Sequence, residues 1–429
     1  MRIAAPPCGH RRPSPDVTPT PLDDRRNIAA IKAVTYLMFA MFAMTTDSVG
    51  LIIPEVIRAF QLSLTAGGIF QYATMGGIAL AGLGLGQLAD RFGRRQTILV
   101  GLTLFASASF LFAIGQTFLF FAVLMGLSGL AIGIFKTGAL ALVGDISRST
   151  AEHTSVMNTA EGFFGIGSIV GPAILAQLLS RGVSWKWLYV IAGCVCLVLI
   201  VIALRVHYPR SGLSGGRRAD GGGSVRSIRN PYVLAFSGGV SLYVAVEAAI
   251  YVWMPTLFAG YRGSATWLAA YSIAVFFLLR AAGRFLGAWM LTRLRWDAVL
   301  ALFSGLILVC FVLSMLGGVG WGVYLLPLSG LFMSVIYPTM NSKGISCVPK
   351  SEHGSAAGII LFFTCVSAVL APLMIGLLSD AMGDIAYGFW LATGVAGLLF
   401  LGLLLNWILD PTRVVLEQLD VSEYRHEPA

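Results

Sequence analysis

The sequence predicts an all-α membrane protein in which twelve transmembrane helices form two pseudo-symmetric six-helix bundles. The first observation behind this prediction is the composition, since 57% of the 429 residues are hydrophobic and only 11% are charged, against about 25% charged in soluble domains. The second is a series of twelve apolar segments, each near the ~20 residues that a bilayer core requires. The third is a weak repeat of the first half of the chain in the second. Because lipid cannot satisfy backbone polar groups, these segments are expected to be helical.

The apolar segments follow one another through short loops, with one longer polar segment after the sixth. We number them as spans one to twelve, and they cover residues 33–57, 67–88, 96–116, 118–144, 155–180, 185–207, 230–258, 265–290, 297–317, 320–344, 355–378 and 385–409. The segment at 208–229 is rich in Gly, Ser and Arg, which is typical of a flexible linker. The predicted regions are a disordered cytoplasmic tail (1–30), two bundles (31–207 and 230–410), the cytoplasmic linker (208–229) and a cytoplasmic tail (411–429).

Equivalent residues recur about 200 positions apart in equivalent spans. The matched pairs are Pro54 with Pro255, Pro172 with Pro372, Gly82 with Gly283, Gly86 with Gly287, and Asp47 with Glu247. Internal repeats of this kind are expected of secondary transporters, whose binding site lies at the interface of the repeats. The carboxylates at matched positions in spans one and seven therefore become candidates for a central site.

The distribution of Lys and Arg predicts the orientation in the membrane. With the amino terminus inside, the tails and loops on the cytoplasmic side carry 21 of these residues, and the loops on the opposite side carry four. Basic residues concentrate in cytoplasmic loops. Both termini are therefore expected to lie in the cytoplasm, with the protein in the cell (inner) membrane.

The loop between spans two and three reads Gly-Gln-Leu-Ala-Asp-Arg-Phe-Gly-Arg-Arg from Gly86 to Arg95. This pattern resembles the signature loop of the major facilitator superfamily, which implies a secondary transporter with the major facilitator fold. We expect the loop to help close a cytoplasmic gate, together with Asp145 at the end of span four and Arg284 at the corresponding place in span eight. The predicted gating residues are Gly86, Asp90, Arg91, Gly93, Arg94, Arg95, Asp145 and Arg284.

Ionisable residues inside the spans are the candidates for substrate and proton binding, because an isolated charge there costs roughly 2.5–3.5 kcal/mol on insertion scales. Asp47 and Glu247 lie near the middle of spans one and seven, where a desolvated carboxyl group tends to accept a proton. They could equally bind a substrate hydroxyl or hold helices together. Tyr243 and Tyr251 lie four residues either side of Glu247 and are expected on its face, either against a sugar-like ligand or in an interfacial aromatic belt.

Spans four, five, eight and ten add further polar candidates. Lys136 and Glu161 lie at similar depths in antiparallel spans, which favours a buried ion pair acting as a structural clamp or as a proton-sensitive switch. Arg280 is a candidate partner for an anion or carboxylate, or it extends to the inner surface. Tyr337 and Asn341 share one face of span ten, and Tyr337 is expected either in the central cavity or packed against span eleven. The site is expected between spans one, four, five, seven, ten and eleven.

Longer segments around these residues resemble the fucose permease-like group of sugar:proton symporters within the same superfamily. They run from Gly238 to Glu247, with Trp253, and from Gly330 to Thr339, together with Asp47 in span one. The chain departs from that group at Lys136, where the group tends to carry an acidic residue. The resemblance implies import of a small polar solute, sugar-like or a related metabolite, coupled to protons and operated by alternating access.

The sequence leaves two other classes of function open. The Gly165–Pro172 stretch partly resembles the span-five motif of drug:proton antiporters, which favours an exporter. A membrane sensor or scaffold is the other class, and it is disfavoured because the sequence shows no appended signalling domain. No phosphate-binding loop, nucleophile arrangement or metal-ligand spacing is present in the sequence, so we expect no enzyme and no cofactor. The expected partners are a small solute, protons and the lipid bilayer, with no nucleic acid, and the protein is expected to be a monomer.

Overall fold

The computed structural model describes residues 21–84, 93–146, 150–206, 208, 230–348, 353–416 and 418. The helices of the first half are Pro21–Thr46 and Val49–Phe60 (span one), Leu64–Gly67, Ile69–Gly84 (span two), Arg94–Ile114 (three), Phe118–Ile146 (four), Thr150–Ser180 (five) and Lys186–Arg205 (six). Those of the second half are Pro231–Ala248, a π-helical turn Ala249–Trp253 and Met254–Phe258 (seven), Thr266–Ala270 and Ser272–Leu291 (eight), Trp296–Gly317 (nine), Val319–Met333 and Ile336–Ser346 (ten), His353–Met382 (eleven) and Ile385–Leu409 (twelve).

The twelve-helix fold predicted from the sequence is confirmed. Within the described ranges, eleven segments are long and apolar enough to cross a membrane, and Ile69–Gly84 supplies the remaining span over 16 residues. The first helix begins at Pro21, so residues 21–30 of the predicted disordered tail are helical instead. The tail before residue 21 and the linker after residue 208 lie outside the described residues.

Spans one and seven lose regular helical geometry beside their matched carboxylates. Span one breaks at Asp47 and Ser48, between the helices that end at Thr46 and begin at Val49. In span seven the π-helical turn begins at Ala249, two residues after Glu247. Breaks and π-bulges free backbone groups and occur often at functional sites. The internal repeat is therefore visible in the backbone as well as in the sequence.

Glycines let neighbouring helices approach to backbone contact in both halves. A Cβ atom on Gly167 or Gly171 of span five would collide with the carbonyl oxygens of Ala40 and Met44 in span one. Gly283 of span eight meets the Leu331 carbonyl of span ten in the same way. Helices in lipid associate without a hydrophobic driving force, so they depend on the close van der Waals packing that small residues permit. Several of the 50 glycines of the sequence thus serve helix packing.

The two halves are joined at the end of the bundle that lies away from the chain termini. There one continuous apolar core contains Ile52 and Ile53 of span one together with Val252, Trp253 and Phe258 of span seven. Gly50 packs so closely on Tyr251 that a Cβ atom would collide with its carbonyl oxygen. We call this region the closed end.

Hydrogen bonds also cross between the halves at the closed end. The carboxylate of Asp380, near the end of span eleven, accepts from the backbone amides of Leu64 and Thr65 at 2.7 and 2.8 Å. The Pro372 carbonyl of span eleven accepts from the Tyr72 hydroxyl of the first half at 3.1 Å, and within its own half it also accepts from the Trp253 indole at 3.0 Å. The Tyr271 hydroxyl and the Gln177 carboxamide share a further bond of 2.8 Å. Polar contacts of this kind can be exchanged for water when the halves separate.

Replacing Asp380 with Ala should loosen the closed end. Hydrogen bonds to a charged group contribute about 1.5–3 kcal/mol each, and less at an exposed position. We therefore expect backbone amide hydrogen exchange over residues 61–72 to become several-fold faster. Asp384→Ala is the matched control, since Asp384 caps span twelve through the Ala386 amide at 2.9 Å without leaving its own half. Equal exchange of residues 61–72 in the two variants would contradict a role for Asp380 between the halves.

A charged cavity between the two halves

A cavity of about 630 Å³ lies between the two halves, next to the breaks in spans one and seven. Residues of spans one, two, five, seven and eight form its wall. They are Asp47, Met75, Glu161, Gly162, Phe164, Gly165, Ile166, Ser168, Ile169, Glu247, Tyr251, Phe277, Arg280, Ala281, Arg284 and Phe285. The wall is mainly apolar with a few convergent charged groups, which is typical of small-molecule sites.

Glu247 and Arg280 form an ion pair across the wall between spans seven and eight. Their side chains are only 10% and 20% exposed, so both charges are largely removed from water. Each charge offsets the cost of burying the other, and either one alone would be expensive at this depth. Of the two roles that the sequence allowed for Arg280, the structure therefore shows the carboxylate partner.

Asp47 has a different environment although it occupies the matching position in the repeat. Its carboxylate accepts a hydrogen bond from the Ser168 hydroxyl of span five. No cation of the described residues lies within 4.0 Å of it, and Arg280 and Lys136 act on it only from farther away. The charge on Asp47 is thus solvated by a hydroxyl group, whereas the charge on Glu247 is neutralised.

Glu161 and Arg284 continue the cavity toward the end of the bundle that carries the termini. Both side chains are exposed, and they attract one another across the gap between spans five and eight without an ion pair in the described structure. Of the residues described, the cavity wall therefore carries three carboxylates and two guanidinium groups. One negative charge remains in excess when all five are ionised.

The ion pair predicted between Lys136 and Glu161 is not formed among the described residues. The Lys136 ammonium instead lies 5.1 Å from the centre of the Phe164 ring, a cation–π contact. Glu161 lines the cavity and faces the arginines of span eight. Sequence spacing gave the two residues a common depth, but the direction of each side chain depends on how its helix is rotated in the bundle.

Tyr243, Tyr337 and Asn341 do not line the cavity, in contrast to the prediction. Tyr243 is fully buried, and its hydroxyl donates to the Met333 carbonyl at 3.0 Å while its ring packs 6.3 Å from that of Tyr337. Tyr251 does line the cavity. Tyr243 therefore faces span ten, while Tyr251 lies within the π-helical turn Ala249–Trp253. The predicted spans four, ten and eleven are replaced in the wall by spans two and eight.

The family can be assigned once this geometry is compared with known proteins. A family model described as the Major Facilitator Superfamily matches residues 35–372. The chain belongs to the Major Facilitator Superfamily. It is therefore a multi-pass membrane transporter and not an enzyme, as the charged loop of the sequence indicated.

Curated relatives within the Major Facilitator Superfamily cover most of the chain. The glucose/galactose transporter of Brucella abortus biovar 1 (strain 9-941) is 25% identical over 374 residues, which is 81% of this chain and 87% of the relative. The L-fucose-proton symporter of Escherichia coli (strain K12) is 23% identical over 391 residues, covering 81% and 86%. Multidrug resistance protein 1 of Bacillus subtilis (strain 168) is 24% identical over 391 residues, covering 86% and 94%.

Two solved structures of the superfamily share the fold in different conformations. A bacterial homologue of the human lysosomal transporter Spinster, inward-facing and occupied, gives a TM-score of 0.68 at 14% identity over 95% of this chain and 99% of that one. The transporter FucP in the outward conformation gives 0.61 at 19% identity, over 88% and 99%. The backbone of this chain resembles the inward-facing transporter more, although its sequence resembles FucP more.

The predicted gating residues divide into three groups. Gly86, Asp90 and Arg91 lie outside the described residues, as does the side chain of Asp145. Gly93 begins span three with φ of +86°, a conformation that favours glycine, and Arg94 is the first residue of that helix. Arg95 donates to the Leu204 carbonyl at 3.0 Å, so it contacts the end of span six in its own half. Arg284 lines the cavity.

Breaking the ion pair should destabilise the protein more than removing it. Arg280→Met leaves the Glu247 carboxylate buried without a partner, and losing one member of a buried pair costs about 3–5 kcal/mol. Glu247→Gln likewise leaves the Arg280 guanidinium buried without a charged partner. We expect either single variant to lower the unfolding temperature in detergent, and the double variant to recover part of that loss.

Arg284→Met is the matched control for this double-mutant cycle, because Arg284 is exposed and makes no ion pair within the described structure. Its effect on the unfolding temperature should be small. Additive losses in the double variant would show that Glu247 and Arg280 do not interact.

Proposed function

We propose that this transporter imports a small sugar-like solute together with protons across the inner membrane, by alternating access and with both termini in the cytoplasm. The observation that carries the proposal is the cavity between the halves, whose wall holds one half-buried carboxylate, that of Asp47, with a hydroxyl neighbour and no cation within 4.0 Å among the described residues. Two of the curated relatives, the glucose/galactose transporter and the L-fucose-proton symporter, support the class of solute. Proton coupling is supported by the second of them.

Asp47 is the group that we assign to the proton. Protonation of Glu247 would leave the Arg280 charge unpaired, whereas protonation of Asp47 removes the excess negative charge of the cavity and keeps the Ser168 hydroxyl as a neighbour. Two states of the cavity with different charge can prefer different conformations of the halves. The lone aspartate in the break of span one is therefore the better switch.

A sugar-like solute suits the remaining surface of the cavity. Tyr251, Phe277 and Phe285 present aromatic groups, while Asp47 and Glu161 present carboxylates. Aromatic faces pack against the apolar C–H surface of a sugar ring, and carboxylates accept its hydroxyl hydrogens. The small volume of about 630 Å³ is of the size of ligand pockets.

The conformation described corresponds to an inward-facing state under the proposed orientation. The termini then lie on the cytoplasmic side, and the closed end, with Asp380 and the Pro372 carbonyl, lies on the outer side. The higher TM-score with the inward-facing Spinster homologue than with outward-facing FucP supports this state. Import would then end with release of the solute past Glu161 and Arg284.

Export of a drug or metabolite in exchange for protons is the second candidate, and the similarity to multidrug resistance protein 1 favours it. The Gly165–Pro172 stretch, which resembles an antiporter motif in the sequence, gives the exporter less support once its packing is known. Gly167 and Gly171 pack against carbonyl oxygens of span one, which accounts for both glycines without any antiporter-specific role.

Asp47→Asn should abolish proton-driven accumulation and keep solute exchange. The amide cannot take up a proton, but it can still hydrogen-bond Ser168. The solute-loaded protein should therefore still change between its inward-facing and outward-facing conformations, which is what solute exchange requires. The measurement is uptake of labelled D-glucose, D-galactose and L-fucose into proteoliposomes with an imposed pH gradient, followed by counterflow without a gradient.

Asp384→Asn serves as the matched control, because Asp384 lies at the surface and caps span twelve. It should accumulate solute as the unmodified protein does. Full accumulation by Asp47→Asn would contradict the assignment of the proton to Asp47. Proton-driven efflux of multidrug substrates, with no sugar uptake, would favour the exporter instead.

A further inference from the structure

Spans five and eight face each other from the two halves, and they touch at the closed end but separate farther along the bundle. At the closed end the Tyr271 hydroxyl and the Gln177 carboxamide share a hydrogen bond of 2.8 Å. Two to four turns away, a Cβ atom on Gly162 or Gly165 of span five would meet no atom of another helix within 4 Å. Both glycines belong to the cavity wall. The side of the cavity is therefore open between spans five and eight, and we call this opening the lateral gap.

Apolar side chains form the two edges of the lateral gap. Phe285 of span eight and Ile166 of span five line the cavity, and they are 81% and 52% exposed. Phe285 shares its helix face with Leu278, because residues seven apart in a helix lie on the same side. Leu278 is 55% exposed and does not line the cavity. An exposed apolar face of a membrane-spanning helix contacts lipid, so the lateral gap opens towards the acyl chains.

The polar groups of the cavity lie on the inner sides of the same two helices. Ser168, which donates to Asp47, is two residues from Ile166, so their side chains point to nearly opposite sides of span five. On span eight, the paired Arg280 is five residues from Phe285, or about 7.5 Å along the axis. The cavity is thus charged and hydrogen-bonding inside and apolar at its open side.

This distribution suits a solute that has one polar and one apolar part. A free sugar carries hydroxyl groups all round and would leave the apolar edges without a partner, whereas a glycoside carries an alkyl or aryl group on its anomeric oxygen. We propose that the cavity binds glycosides with an apolar substituent, which extends through the lateral gap between Phe285 and Ile166 while the sugar ring lies inside. This inference rests on the proposed function and narrows the class of solute for the same cavity.

Affinity for such a glycoside should grow with the length of its substituent. Burying one more methylene group strengthens binding by up to about fourfold, because apolar surface leaves water. The ring of Phe285 also offers an aromatic face to an aryl substituent. The gain per methylene group should therefore depend on the side chains at the two edges of the lateral gap.

The test is competition for counterflow in proteoliposomes that contain the full-length protein. Labelled D-glucose, D-galactose and L-fucose are the transported sugars, and the methyl, propyl, pentyl and phenyl glycosides of each sugar are the competitors. In the unmodified protein we expect the pentyl glycoside to inhibit at least about tenfold more strongly than the methyl glycoside. Phe285→Ala should reduce this ratio several-fold. Because a ratio is measured, any change in affinity for the sugar ring itself cancels.

Leu278→Ala is the matched control, since Leu278 lies on the same exposed face of span eight but outside the cavity wall. It should keep the full ratio. Ile166→Ala tests the opposite edge independently, and it should reduce the ratio even if Phe285→Ala fails to fold.

Two results would count against the glycoside site in different ways. Equal ratios in the unmodified protein and in all three variants would show that the alkyl chain gains only from partition into lipid. That result would overturn the glycoside site and leave the proposed function standing. Absence of counterflow of all three sugars by the unmodified protein would overturn the proposed function and the glycoside site together.

Discussion

The cost of placing charge inside a bilayer organises the centre of this protein. A charged side chain is tolerated there only beside another charge, a hydrogen-bonding group or water. Five ionisable residues from spans one, five, seven and eight therefore line one cavity between the halves. The helices around it depend on this arrangement, since each half leaves polar groups on the surface that it presents to the other. Within the first half, Gly167 and Gly171 bring the backbones of spans five and one close together, where Ser168 donates to Asp47.

The internal repeat gives the two halves equivalent carboxylates with different chemistry. Glu247 is neutralised by Arg280 of the adjacent span, while Asp47 is hydrogen-bonded by Ser168. No arginine in the first half corresponds to Arg280, so the two halves differ at this position. Under the proposed function, the Glu247–Arg280 pair stabilises the cavity while Asp47 takes up the proton.

The contacts that close one end are of a kind that can be remade. Asp380 and Tyr72 make hydrogen bonds to backbone groups of the other half. When the halves separate, water can replace each of these partners. Opening of the closed end therefore exchanges protein–protein hydrogen bonds for protein–water hydrogen bonds. Alternating access requires contacts of this kind, because each end must open in turn.

The sequence by itself determined the superfamily and the twelve spans, and it included Asp47, Glu161, Glu247 and Tyr251, which line the cavity, among the candidate site residues. This was possible because membrane thickness and the cost of buried charge act on each segment separately. Span boundaries were predicted closely for the same reason, with the early start at Pro21 as an exception. The tertiary structure alone decided which side chains meet. Lys136 contacts Phe164 and not Glu161, Arg280 pairs with Glu247, and Tyr243 packs against span ten while Tyr251 lines the cavity. These outcomes depend on how each helix is rotated in the bundle. Rotation and register arise from packing between distant segments, and no local pattern in the chain encodes them.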